Sequence, residues 1–137
     1  IFPEGYEAGT LNMPAICSLK ASLSFIERER ISIIQKEKEL ITLLIRELDK
    51  IQPVIIYDHD VDRVSTFCFN VKGVPSDQVV AFLDKKGICV RGGIHCAILA
   101  HEAINTVQTG AVRVSLNYQN TAEEVGLFIE AIKELCG

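Results

Sequence analysis

Four runs in this chain have β-strand character, and their order limits the folds open to it. Val54–Tyr57 is short and apolar. Ser65–Val71 alternates, with Phe67, Phe69 and Val71 on one face. Ile88–Val90 is apolar, and Gly110–Ser115 closes the set. Helical patterns fill the rest. Pro14 suits a first helical turn, where its missing N–H costs nothing. Ile16, Leu19, Leu23 and Ile26, spaced by three and four, predict a helix over Ala15–Ile26 with one buried face. A second helix is predicted from about Arg28 to Lys50. Its apolar stripe is Ile31, Ile34, Leu40, Leu44 and Leu48, and Pro53 ends it. Pro75-Ser76-Asp77 opens a third, with Val79, Val80, Phe82 and Leu83 inward and Gly87 as its stop. A short helix is expected from Ile98 to about Asn105. Thr121-Ala-Glu-Glu124 is a capping box before a last helix, whose Val125, Phe128, Ile129, Ile132 and Leu135 share a face.

The resulting order is α-α-β-β-α-β-(α)-β-α. Strands and helices alternate too irregularly for a doubly wound parallel sheet. The expectation is an α+β, two-layer fold: a small, mainly antiparallel sheet covered on one face by helices. A chain of 137 residues can bury one respectable core. Residues 1–13 are rich in turn formers without periodicity. They read as a severed connection, leaving 14–137 as the domain.

Composition excludes some functions. The net charge of −4 speaks against a nucleic-acid surface. No apolar run approaches the ~20 residues needed to cross a bilayer, and the start has neither region of a secretory signal. The cysteine count of 5 is odd, and no pair has C-x-x-C spacing, which weakens both a disulfide framework and a zinc site. Reduced thiols in a cytoplasmic protein are the simplest account. Asp58-His-Asp-Val-Asp-Arg63 lacks the Gly and distal Glu of a calcium loop and reads as a solvated turn, so no metal site is expected.

The stretch Arg91-Gly-Gly-Ile-His-Cys-Ala97 concentrates chemistry. A thiol reacts as its thiolate, which nearby positive charge favours, and glycines permit a tight turn that presents a side chain outward. The composition suits a reactive Cys96. It also admits a packed one, because free cysteine is among the most buried residue types. Arg113 alternates with Val112 and Val114 and so faces opposite to them, which on an antiparallel sheet is often the solvent side. Cys17, Cys68, Cys89 and Cys136 fall on predicted helices or strands and read as packing. His59 and His101 show no convincing partner, and Thr10 and Asn12 suit turns.

Arg-Gly-Gly-Ile-His-Cys-Ala, then Gly-Ala-Val-Arg-Val-Ser, then Tyr-Gln-Asn-Thr-Ala-Glu-Glu resembles the C-terminal part of a cysteine desulfurase. The branch is the one related to selenocysteine lyase, within the class V aminotransferase group of pyridoxal-phosphate enzymes. Tyr6-Glu-Ala-Gly-Thr-Leu-Asn-Met-Pro-Ala15 is similar to the segment where the large domain of such enzymes hands over to the small one.

The resemblance implies the small domain of a fold type I enzyme. Pyridoxal 5′-phosphate would be carried mainly by a lysine in a large N-terminal domain. It implies removal of sulfur from L-cysteine to give L-alanine and a persulfide on Cys96. Arg113 would grip the substrate carboxylate, because a guanidinium fork makes two parallel charge-assisted bonds to it. Arg91 and His95 would assist, as a second carboxylate contact or an influence on the thiol, and as a proton donor or a brace for the loop. Gly9 and Thr10 match a segment that reaches the cofactor phosphate of a neighbouring subunit, so a homodimer is implied. A protein acceptor for the persulfide fits the same picture.

The chain departs from the family's pattern in three ways. No lysine here has the context of the cofactor lysine, Ile98-Leu99 stands where a proline is frequent, and Gln119 replaces a common aromatic. Alone, this stretch is expected to be inactive. Other readings are an aminotransferase or selenocysteine lyase small domain, and a stand-alone thiol carrier or interaction module without cofactor.

Overall fold

The computed structural model describes residues 4–6, 9–57 and 64–137. The acidic loop with His59 lies outside the described residues. These divide into two compact units, one ending at Ser32 and the other spanning Ile33–Gly137.

The two predicted N-terminal helices are one. Helix α1 runs unbroken over Met13–Leu48. The reason is local: from Ala15 to Gln52 the sequence contains neither Gly nor Pro, so nothing interrupts the i→i−4 bonds. Asn12 caps the start, its Oδ1 accepting the Ala15 N–H at 3.1 Å. In the first unit, the stripe expected to be buried is not. Ile16, Leu19, Leu23 and Ile26 are each 45–60% exposed. Their spacing marks one face, but among the described residues of that unit no second apolar element covers it.

In the second unit the later turns of α1 bury Leu40, Ile41, Leu44 and Leu48. Strands β1 (Val54–Ile56), β2 (Thr66–Val71) and β3 (Val112–Ser115) form an antiparallel sheet in the order β1-β2-β3. Phe69 stands opposite both Ile56 and Val112, and Phe67 opposite Val114. This register puts Phe67, Phe69, Val71, Val112 and Val114 on one buried face. Helix α2 (Ser76–Lys85) closes that face with Val79 and Leu83, and α4 (Ala122–Cys136) adds Val125, Phe128 and Ile132 to the same core. The Phe128 ring meets Phe69 edge-on, centroids 6.0 Å apart. Each such side chain contributes about 1.5–3 kcal/mol by leaving water. The small antiparallel sheet covered by helices is the expected architecture. The capping box also forms: Thr121 and Glu124 satisfy each other's backbone N–H groups.

The expected strand at Ile88–Val90 does not form. The Ile88 N–H returns to the Leu83 carbonyl at 3.0 Å, completing the end of α2, and Gly87 is left-handed with φ 74°. The chain reaches β3 only at Arg91, which bridges Arg113. From there to Gly93 it runs along the free edge of β3, and Gly93 and Ala111 exchange N–H···O bonds of 3.1 Å. A short helix, α3 (Ile98–Ala103), follows the turn.

Candidate functional site

Three observations single out the turn between Gly93 and α3. The first is its backbone. His95 and Cys96 are both left-handed, with φ 54° and 58°. Neither is glycine, and the cost is about 1–2 kcal/mol per residue. Strain of this kind persists only where the surroundings over-determine it, and it clusters at functional sites.

The second is what holds the turn. Glycine is required at two of its contacts. A Cβ on Gly92 would stand 2.9 Å from Val80 Cγ2 and 3.1 Å from the Ser76 carbonyl oxygen, and one on Gly110 would stand 2.8 Å from Gly93 Cα. Side chains tie down the facing segment. Ser76 Oγ–H donates to the Thr109 carbonyl (2.9 Å), and Asn70 Nδ2–H donates to the Gly110 carbonyl (2.9 Å) and to Tyr57 Oη (3.2 Å). His95 Nε2 lies 3.0 Å from the Ala111 carbonyl oxygen. A carbonyl only accepts, so Nε2 carries the proton and Nδ1 a lone pair. The His95 ring lies 5.8 Å from that of His101, and buried His101 meets Thr106 Oγ1 at 2.7 Å through Nδ1. Burial above all holds the His95 pKa below its ordinary 6.5; Arg113, His101 and Arg91 act in the same direction, against the bond to Ala111. The imidazole is therefore neutral at pH 7.

The third observation is unmet hydrogen bonding. Among the described residues, three buried side-chain atoms lack a partner: Asn70 Oδ1, His95 Nδ1 and Arg113 Nε. An unmet buried group costs about 1–3 kcal/mol, and native proteins keep few of them. All three belong to the same neighbourhood. Arg113 lies on the sheet face opposite the core, between Cys68 on β2 and Arg91 on the bridged segment. Asn70 is on that face, and His95 is tied to Ala111, two residues before Arg113.

The structure thus gathers His95, Cys96, Arg91 and Arg113 around the edge of β3. Cys96 and Arg91 are exposed, and Arg113 is half-buried rather than solvated. Gly9 and Thr10 belong to the first unit; both are exposed, and Gly9 is left-handed with φ 81°. The packing assigned to the other cysteines holds only in part. Cys68 and Cys136 are half-buried, with burial raising the Cys136 pKa, whereas Cys17 and Cys89 are exposed. Cys89 lines a groove of about 690 Å³ between residues 86–90, the end of β3 and α4, which contains none of the site residues. Sequence reasoning passed over Asn70, Ser76 and Thr106. Asn70 left one signal, a polar residue amid the apolar alternation of β2.

Residues 2–128 match the class-V aminotransferase family. The chain belongs to that family. Within it, a probable cysteine desulfurase of Methanothermobacter thermautotrophicus is 36% identical over 139 residues, covering 99% of this chain and 35% of the relative. The structure of an apo cysteine desulfurase from Thermococcus onnurineus NA1 superposes with a TM-score of 0.87 at 33% identity, over 98% of this chain and 34% of that one. A cysteine desulfurase from Escherichia coli, in an S-sulfonic acid form, gives 0.82 at 27% identity, over 96% and 33%. The chain spans about a third of the length of the curated relatives it matches.

Proposed function

We propose that this chain is the small-domain part of a pyridoxal-phosphate-dependent cysteine desulfurase, and that Cys96 is its nucleophile. The observation that carries the reading is the exposed Cys96 thiol in a strained left-handed turn that His95 ties to Ala111 beside β3, the strand on which Arg113 Nε is buried without a partner. A geometry costly to hold, with an unmet donor next to it, fits a site completed by a ligand.

In this reading Cys96 Sγ attacks the sulfur of L-cysteine. An S–S bond forms as the substrate's Cβ–S bond breaks, the thiol protons are redistributed, and L-alanine leaves with a persulfide on Cys96. Arg113 holds the substrate carboxylate through its guanidinium fork, and Arg91 adds positive charge at the entrance. His95, neutral and anchored to Ala111, braces the turn. The bound cofactor supplies an electron sink for the bonds at the substrate α-carbon. This chain's contribution toward it is Gly9 and Thr10, offered to the phosphate of a neighbouring subunit in a homodimer. They fit that task, since nothing lies within 4 Å of a Cβ position at Gly9 and the backbone is approachable. The lysine that carries the cofactor belongs to a large domain, in keeping with the third of its relatives' length that this chain covers. Alone, the chain is inactive. The setting is cytoplasmic, and the persulfide passes to an acceptor protein.

The test uses the full-length protein with L-cysteine and a thiol reductant. Alanine and sulfide should appear in equal amounts, and Cys96→Ser should lower both by roughly 10³-fold or more, as removal of a nucleophile does. Undiminished sulfide release by that variant sinks the persulfide role. Amino-group transfer to a keto acid without sulfide favours an aminotransferase.

A further inference from the structure

We infer that Asn70 is a positioning residue for Arg113, aiming its guanidinium at the substrate carboxylate; the inference rests on the desulfurase reading above. Its starting point is the pair of complementary unmet groups, an acceptor at Asn70 Oδ1 and a donor at Arg113 Nε, both buried. The strand register places them. Cys68 stands opposite Arg113 and Phe69 opposite Val112, so Asn70 lies one step further along β2, diagonal to Arg113 on the same face. Diagonal positions on one face of an antiparallel pair are within reach of a long side chain.

The orientation of Asn70 is not arbitrary. Its Nδ2 donates to the Gly110 carbonyl, which can only accept, and to Tyr57 Oη. Two bonds on the nitrogen fix the amide plane and leave Oδ1 as a rigid, unused acceptor. Arg113 is the reverse, a long flexible side chain whose Nε–H has no acceptor. A guanidinium that gives its Nε–H to a fixed amide oxygen keeps its two terminal nitrogens free, side by side, for a bidentate carboxylate. Aiming Arg113 in this way lowers the ordering cost of gripping the substrate. The other unmet acceptor, His95 Nδ1, sits on the strained turn. Asn70 sits on the central strand of the sheet, the more rigid support.

The experiment measures carboxylate binding in the full-length holoenzyme by calorimetry, with L-alanine as ligand and L-alaninamide, which lacks the carboxylate, as control. Asn70→Ala should weaken L-alanine by about tenfold and leave L-alaninamide within about twofold. Because Asn70 acts through Arg113, its effect should vanish in an Arg113→Ala background, the non-additivity expected of coupled residues. Tyr57→Phe, which removes one of the two bonds that hold the Asn70 amide, should weaken L-alanine by less than Asn70→Ala does and leave L-alaninamide unchanged. If Asn70→Ala does not fold, Asn70→Ser takes its place, with folding followed by circular dichroism. Equal losses for both ligands, or additive losses in the double variant, overturn the inference. Turnover of L-cysteine is measured alongside. A wild type that releases no alanine refutes the desulfurase and this inference together, whereas one that releases alanine but shows additive losses refutes the inference alone.

Discussion

The two faces of the sheet are built from the same three strands and behave differently. On one, Phe67, Phe69, Val71, Val112 and Val114 are buried against α2, α4 and the later turns of α1, with no polar atom to satisfy. On the other, Tyr57, Cys68, Asn70 and Arg113 stand among polar neighbours, and two buried atoms remain unpaired. Alternation along a strand makes this possible, because successive residues serve opposite faces. One set of residues stabilises the domain. The set between them is free to keep unmet hydrogen bonds that a core could not tolerate, and a ligand can meet them.

The largest expected break in the contrast comes from the core side. Phe69 is fully buried and meets Phe128 edge-on. Phe69→Ala should cost about 3–5 kcal/mol of unfolding free energy, measured by urea titration, through lost burial and the cavity left behind. A loss below about 1 kcal/mol refutes the view that this face carries the stability.

A smaller effect of opposite sign is expected at the turn. Cys96→Gly relieves a left-handed non-glycine residue and should raise stability by about 1 kcal/mol, while in the full-length protein it should abolish the proposed desulfuration. Unchanged or lowered stability refutes the idea that the turn stores strain.

The smallest effect is a slope with pH. His95 has its pKa held below 6.5 in the folded chain, so the unfolded state binds the proton more readily. The stability this confers is complete above pH 6.5 and is lost as pH falls from there through the folded value. Protonation would place a charge beside Arg91, Arg113 and His101 and an N–H at Nδ1 without an acceptor. Urea titrations across this range should show stability falling with acidity, and His95→Gln should flatten the slope. The carboxylates of Glu47, Glu123 and Glu124, lowered by their own hydrogen bonds, titrate below 4.5.

Local rules were sufficient where the deciding interaction lies within a few residues. The Thr121–Glu124 capping box, the left-handed Gly87 at the end of α2 and the alternation that turns Arg113 away from Val112 and Val114 are all of this kind. They were insufficient where a distant partner decides. The spacing of Ile16, Leu19, Leu23 and Ile26 names a shared face, yet only a second element can bury it. Ile88–Val90 has strand composition, but its first N–H is already spent on Leu83. Cys17 and Cys89 lie in apolar runs and are exposed all the same.

By itself the sequence determined helices α2, α3 and α4, the three strands of the sheet, the polar face of β3 and the presence of a thiol within a glycine-containing turn. These follow from backbone preference and periodicity, which act over one or two turns of chain. Only the tertiary structure decided that the strain falls on His95 and Cys96, that Ala111 fixes the imidazole tautomer, and that Asn70 and Arg113 lie on one face with complementary groups unmet. Those facts depend on pairing residues tens of positions apart, and register is set by the packed core as a whole.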